Sequence, residues 1–285
     1  MRRRSATLCA AFAIALTAAC STGENQATPD SGASESTGSS TASGDSARGL
    51  ALMNAFRDSL PEHSGNALRC TSCHLDGGTR PAAMPWIGTT NTYPRYRSRS
   101  GGQETIQMRI NDCIARSLAG RVIPEDSRDM RDMVAYLESI GRTARPAGVD
   151  TVTLAGHVDA GERGFAASCA RCHGAAGEGT VIAPAVFGAE SYSIGAGLAR
   201  QKMLATFVRH SMPFDQPGTL SAQEAADIAA YVLTQPRQDL PGKEGDWPNG
   251  NPPRDAAYAT DAARAAGKPL PPARPVLPRR VAPGM

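Results

Sequence analysis

The hydrophobic pattern changes character twice within the first fifty residues. Arg2, Arg3 and Arg4 lead into Ala6 to Ala19, a run almost entirely small and apolar, which stops at Cys20. That run is short for a bilayer span and has the layout of an export signal over residues 1–19. Residues 21–47 carry Ser, Thr, Gly, Ala and a few acids with almost nothing apolar, so they predict a flexible tether that cannot bury enough surface to fold. Helical periodicity starts at residue 48. Leu50, Met53, Ala55 and Phe56 predict an amphipathic helix over 48–58. Ile106, Ile110, Cys113 and Ile114 recur at i, i+4, i+7 and i+8 and share one helical face. Met130, Met133, Val134, Leu137 and Ile140 form another over 127–140, closing before Gly141. Arg142 to Gly148, with Pro146, reads as a linker, and a capping box at Ser221-Ala222-Gln223-Glu224 opens a later helix. From Leu240 onward come ten of the 21 prolines, which predicts an extended or disordered end whose first part Trp247 and Tyr258 can pin.

Composition narrows what such helices enclose. A chain of 285 residues suits one or two domains. With 41% apolar and 5% aromatic residues, its side chains alone make a thin core, leaving room for a large flat cofactor. The formal charge is +3, but without the three leading arginines the 30 basic residues fall to 27, equal to the 27 acidic ones. A near-neutral mature chain is a poor binder of nucleic acid by bulk charge.

The seven cysteines are Cys9, Cys20, Cys70, Cys73, Cys113, Cys169 and Cys172. Four of them form Cys70-Thr71-Ser72-Cys73-His74 and Cys169-Ala170-Arg171-Cys172-His173. This is the attachment pattern of covalent haem c: two thioethers from the cysteines and the histidine on iron. A zinc site or thioredoxin-like redox pairs would leave the histidine after each pair unexplained. Two haems c are therefore expected.

Cys113 stands alone once Cys9 leaves with the signal and Cys20 is set aside as a lipid site. An odd cysteine is commonly a small buried hydrophobe, but its position is suggestive. His74 to Cys113 spans 39 positions, and so does His173 to Met212. Each landmark is followed by a similar segment, Met133-Val134-Ala135-Tyr136-Leu137 and Ile228-Ala229-Ala230-Tyr231-Val232. The reading is all-α: two tandem cytochrome c-like domains at 48–141 and 151–238, a linker at 142–150 and a Pro-rich extension at 239–285. In the repeat Cys113 takes the slot of a distal iron ligand, and Met212-Pro213 has the look of a methionine ligand loop. Met84, Met108, Met130 and Met133 compete in the first half, although Met130 and Met133 read as core. Met203 and His210 compete in the second.

The chain resembles the dihaem thiosulfate dehydrogenases over about residues 63–238. The resemblance rests on Ser64-Gly65-Asn66, Cys70-Thr71-Ser72-Cys73-His74-Leu75, Tyr93-Pro94-Arg95-Tyr96-Arg97-Ser98-Arg99-Ser100-Gly101 and Arg109-Ile110-Asn111-Asp112-Cys113. Arg116-Ser117, the helix with Met133-Val134-Ala135-Tyr136 and the tail piece Asp246-Trp247-Pro248 continue it. It implies that Cys113 is the distal ligand of a catalytic haem and that Arg99 and Arg109 line the substrate pocket. Some members carry lysine directly before the second methionine and exchange ligands on reduction. Here that position is Ser211, which implies plain His173/Met212 ligation.

Joining two thiosulfate dianions into tetrathionate brings like charges together and releases two electrons. Arg95, Arg97, Arg99 and Arg109 are suited to offset that repulsion, since guanidinium stays charged and forks onto oxyanions. At least one of the four is expected to be solvated or to bind a haem propionate. The resemblance also implies that the ligand sulfur of Cys113 bonds the substrate sulfur transiently, with the second haem as electron exit to a small cytochrome or similar acceptor. Two rivals stay open: a SoxA-type cytochrome working with a sulfur carrier, and an electron carrier with two methionine-ligated haems. Leu16-Thr17-Ala18-Ala19-Cys20 resembles a bacterial lipoprotein signal, so a periplasmic, membrane-anchored protein is expected.

Overall fold

The computed structural model describes residues 43–141 and 148–280. The signal segment, Cys20, most of the tether and most of the linker lie outside these. The first half contains α1 (Ser46–Asn54), α2 (Phe56–Ser59), the single turn α3 (Leu75–Gly78), α4 (Ile106–Arg116) and α5 (Arg128–Gly141). The second contains α6 (Val158–Ser168), the turn α7 (Ala170–His173), α8 (Gln201–Ser211) and α9 (Ala222–Thr234), and the tail adds α10 (Asp261–Ala265). Only short strands interrupt the helices. β1 (Arg95–Arg97) and β2 (Gly102–Glu104) form an antiparallel hairpin, and β3 (Arg237–Gln238) pairs in parallel with β4 (Val276–Leu277). The architecture is thus the expected pair of mostly helical units. The opening helix differs in detail: it starts at Ser46 and breaks at Ala55.

The two halves repeat one crossing. In the first, α1 lies against α5, and Gly49 lets the backbones meet, since a Cβ there would come within 2.0 Å of the Asp132 carbonyl oxygen. In the second, α6 lies against α9, and a Cβ on Gly161 would come within 1.9 Å of the Asp227 carbonyl oxygen. The same two acids tie down the start of the partner helix. Asp132 accepts from the backbone N–H of Asp45 at 2.7 Å, and Asp227 from that of His157 at 2.8 Å. Thus the first helix of each half is capped by the last, across a glycine contact. The apolar faces follow the sequence periodicity. Phe56, Met130 and Met133 are fully enclosed, as are Ala225, Ala226 and Ala229 in the other half.

Side chains also stitch the halves together. Buried Asn66 donates to the carbonyls of Ser117 and Ser191, each at 2.9 Å, and Gln238 donates to those of Gly65 (2.8 Å) and Ala189 (2.7 Å). The described tail is neither disordered nor simply extended: turns and the short helix α10 precede β4, and it is tied down at several points. Trp247 and Tyr258 are buried, Arg274 bonds the Ala199 carbonyl, and Arg279 bonds that of Gly120 at 2.7 Å.

Candidate active site

Each attachment motif presents its histidine in one defined state. His74 Nδ1–H donates to the Met84 carbonyl at 2.6 Å, and the Trp86 ring stacks on the imidazole at 4.5 Å. His173 Nδ1–H donates to the Pro184 carbonyl, also at 2.6 Å. With Nδ1 occupied, Nε2 keeps the free lone pair that a metal ligand needs. Burial pushes the His74 pKa down to about 4 against the opposing Met84 bond, and lowers that of His173 for the same reason. Both shifts favour the neutral ring, the form that coordinates iron.

The surroundings fit a haem. A cavity of about 700 Å³ is lined by Cys169, Cys172, His173 and Met212 together with apolar residues such as Phe165 and Val232. Well-packed interiors hold few voids larger than a water, so this is space of ligand size. Cys73 of the first motif reaches the same cavity, bringing the two attachment sites close together. Tyr192 also lines it, and both Tyr192 Oη and Arg237 Nε are buried without a partner. A buried donor without an acceptor is costly, and a haem carboxylate in the cavity would satisfy the Tyr192 hydroxyl. Among the competing second-half ligands, Met203 lies on a different cavity and His210 Nε2 is engaged with the Asp150 carbonyl at 2.8 Å.

That different cavity, about 460 Å³, contains Cys113. Thr105 caps α4 by accepting from the Met108 N–H at 3.1 Å, and the helix then presents Arg109, Asp112, Cys113 and Arg116 to the pocket. The hairpin β1–β2 and its turn bring Arg95, Arg97 and Arg99 to the same space. Arg95 is exposed, with its guanidinium over the Tyr93 ring at 5.0 Å, which makes it the solvated member of the four. Cys113 also lies close to the first motif: burial first, and then Cys113, pushes the Cys70 and Cys73 thiols up to about 12. Met130 and Met133 are core, and Met108 is exposed on the surface. Met84 stays at the pocket wall.

The pocket is strongly cationic but not unbalanced. Arg109 meets Asp112 at 2.9 Å, and its pKa is raised chiefly by the neighbouring Cys113 sulfur, with burial opposing. Burial lowers that of Arg99, which donates to the Gly195 carbonyl at 3.0 Å. For Arg116, burial works against the charge, but bonds to Asp246 and Asp112 outweigh it and the net shift is upward. Sequence reasoning missed two pocket arginines. Arg116 was legible only as part of a motif. Arg200, held by Asp255 at 2.6 Å, comes from the second half, which the repeat assigns wholly to its own haem. Trp247 and Pro253 of the tail complete the wall.

Comparison with known proteins agrees with this division. Residues 53–145 match the family model "SoxA/TsdA, cytochrome c domain", and residues 156–232 match "Cytochrome C oxidase, cbb3-type, subunit III". The thiosulfate dehydrogenase of Psychrobacter arcticus is 43% identical over 222 residues, covering 73% of this chain and 68% of the relative. That of Allochromatium vinosum is 37% identical over 217 residues, covering 70% and 80%. The solved thiosulfate dehydrogenase (TsdBA) of Marichromatium purpuratum superposes with a TM-score of 0.64 at 28% identity, over 69% of this chain and 46% of that longer one. Two consecutive cytochrome c domains imply haem c. With these identities over most of both chains, the protein belongs to the thiosulfate dehydrogenase family of oxidoreductases.

Proposed function

We propose that the chain couples two thiosulfate ions into tetrathionate at the Cys113 pocket. The balance is two S₂O₃²⁻ giving one S₄O₆²⁻ and two electrons: one S–S bond forms and no proton moves. The observation that carries this reading is the meeting of Cys113 with Arg99, Arg109, Arg116 and Arg200 in one cavity. His74 and Cys113 would hold the first haem iron, and His173 and Met212 the second. When bound, the two covalent haems supply one-electron redox capacity each, enough together for the electron pair. The chain's own work is to bind and orient the anions. Guanidinium groups offset the repulsion between two dianions, and they do so more strongly in a partly buried pocket than in water. Arg109 lies one helical turn from Cys113 and so brings positive charge beside the sulfur. The closeness of Cys73 to the second cavity supports a short path for electrons from the first site to the second, and from there to an external acceptor such as a small cytochrome. The same site serves tetrathionate reduction, since a catalyst works on both directions of its reaction. We place the protein in the periplasm, anchored by a lipid on Cys20.

A steady-state assay of the purified holoprotein, with thiosulfate and an artificial electron acceptor and then with tetrathionate and a donor, tests the reading. Turnover with tetrathionate as product, and no need for a sulfur-carrier protein, is the expected result. Haems that are reduced once without turnover would leave an electron carrier, and dependence on a carrier protein would leave the SoxA-type alternative.

A further inference from the structure

Five charged side chains of alternating sign run from the cysteine to the tail: Arg109, Asp112, Arg116, Asp246 and Arg99. Arg109 meets Asp112 at 2.9 Å, and Asp112 also accepts from Arg116 Nε. Arg116 forks onto Asp246 with two bonds of 2.7 Å, and Arg99 Nε lies 3.9 Å from the same carboxylate. Asp246 itself is only 6% exposed and also accepts from the Tyr258 hydroxyl. The next residue grips Arg99 twice. Trp247 N–H donates to the Arg99 carbonyl at 2.8 Å, and the indole lies against the guanidinium, 4.6 Å from its carbon to the ring centroid. The seat for this segment is shaped as well: a Cβ on Gly101 would come within 2.5 Å of Pro248.

A carboxylate beside an anion pocket repels the anion, so by charge alone Asp246 is a liability. Its value lies in geometry. Arginine is long and flexible, and a fork onto a buried carboxylate fixes the plane and direction of the donors that remain. Indole against the guanidinium restricts it further, by cation–π attraction. Sequence distance is no obstacle, because the tail crosses from the second half to reach α4.

We propose that Asp246 and Trp247 are positioning residues that aim Arg99 and Arg116 at the anion beside Cys113, so that the pocket is complete only with the tail in place. This rests on the reading of that pocket as the thiosulfate site. The test uses the full-length holoprotein carrying Asp246→Asn, which keeps the shape and removes the charge. Charge counting predicts tighter thiosulfate binding in that variant. Positioning predicts KM higher by about tenfold, the order expected when one charge-assisted contact loosens, with a smaller change in kcat. The thiolate signature of the Cys113-bound haem should not move. Equilibrium dialysis of radiolabelled thiosulfate against ascorbate-reduced protein reads binding without turnover. Trp247→Leu, which keeps an apolar plug but removes the π face, should weaken binding in the same direction and decides the matter if Asp246→Asn loses its haems. Unchanged or tighter binding in the variants that fold overturns the proposal. Wild type that binds thiosulfate without oxidising it overturns the function alone, leaving positioning to the dialysis, whereas wild type that binds none overturns both.

Discussion

Cys113 and Arg109 sit one turn apart on α4, and their different chemistry makes them separable by mutation. Cys113→Ala removes the sulfur without touching Cys70, Cys73, Cys169 or Cys172. Both covalent haems should remain, and one of them should lose its thiolate spectrum, while thiosulfate oxidation nearly vanishes. Substantial turnover by that variant would sink the mechanism and favour the electron carrier. Arg109→Ala acts on the anion instead of the iron. It should keep the thiolate spectrum and lower kcat/KM by about a hundredfold, the usual scale for losing one charge-stabilising donor, and Arg99→Ala should behave alike. A lost thiolate spectrum in either arginine variant would show that the guanidinium supports the ligand and not the substrate. Met212→Ala should change the other haem's spectrum and slow electron exit while leaving thiosulfate binding intact. An unchanged spectrum would remove Met212 from the iron.

At the scale of elements, the crossing of first and last helix is used twice, and each time a buried carboxylate ties the two helices together. Burial alone would raise the pKa of Asp132 and Asp227. The Asp45 N–H and Arg48 outweigh that at Asp132, and the His157 N–H and Gln223 at Asp227, so both carboxyls are held below their ordinary value. A depressed carboxyl stabilises the fold in full above its unfolded pKa of about 3.9 and loses that contribution as pH falls through the folded value. Thermal melts from pH 7 downward should therefore show Tm falling steeply below about pH 4, and Asp132→Asn should flatten part of that slope. An identical acid slope in the variant would mean that Asp132 is not the titrating group. Gly161→Ala places a methyl against the Asp227 carbonyl and should cost on the order of 3 kcal/mol. These elements were legible from sequence because their signals are local: helical periodicity, two attachment motifs and a 39-residue offset repeated twice. The glycine crossings were not, since a lone glycine in a helix says nothing about which backbone it meets. The pocket was half legible for the same reason. Cys113, Arg99 and Arg109 lie in a local strip, while Arg200, Asp246 and Trp247 join them only through contacts distant in sequence.

Over the whole molecule, the halves are joined by buried amides and by a tail that returns across both. Gln238 shows the arrangement: its Nε2 bonds the carbonyls of Gly65 and Ala189, and its Oε1 accepts from the Arg280 N–H at 2.6 Å. The pairing of β3 with β4, Arg274 on the Ala199 carbonyl and Arg279 on the Gly120 carbonyl belong to the same return. At the other end of the chain the lipid reading has its own check: Cys20→Ala should move the protein from the membrane to the soluble periplasmic fraction or block its maturation, and an unmodified Cys20 in a soluble wild type would refute it. The returning tail sets up a sharper contrast. Ending the chain after Lys268 removes β4 and these three arginine anchors but leaves Asp246, Trp247 and Tyr258 in place, with the Lys268 bond to the Gly250 carbonyl kept. Two charge-assisted bonds to carbonyls, the Arg280 N–H bond to Gln238 and one strand pairing together are worth about 5 kcal/mol, which for a chain of this size lowers Tm by roughly 10–20 °C. Both haems and the thiolate spectrum should survive, because no attachment or ligand residue is removed. Thiosulfate KM should stay within about twofold of the full chain, since a change that small is under half a kcal/mol and the arginine-aiming segment is intact. A truncated protein with unchanged Tm would show that the last residues lie on the surface without holding it. One with full stability but a much higher KM would show that aiming the pocket depends on the whole tail and not on the stretch from Asp246 to Tyr258.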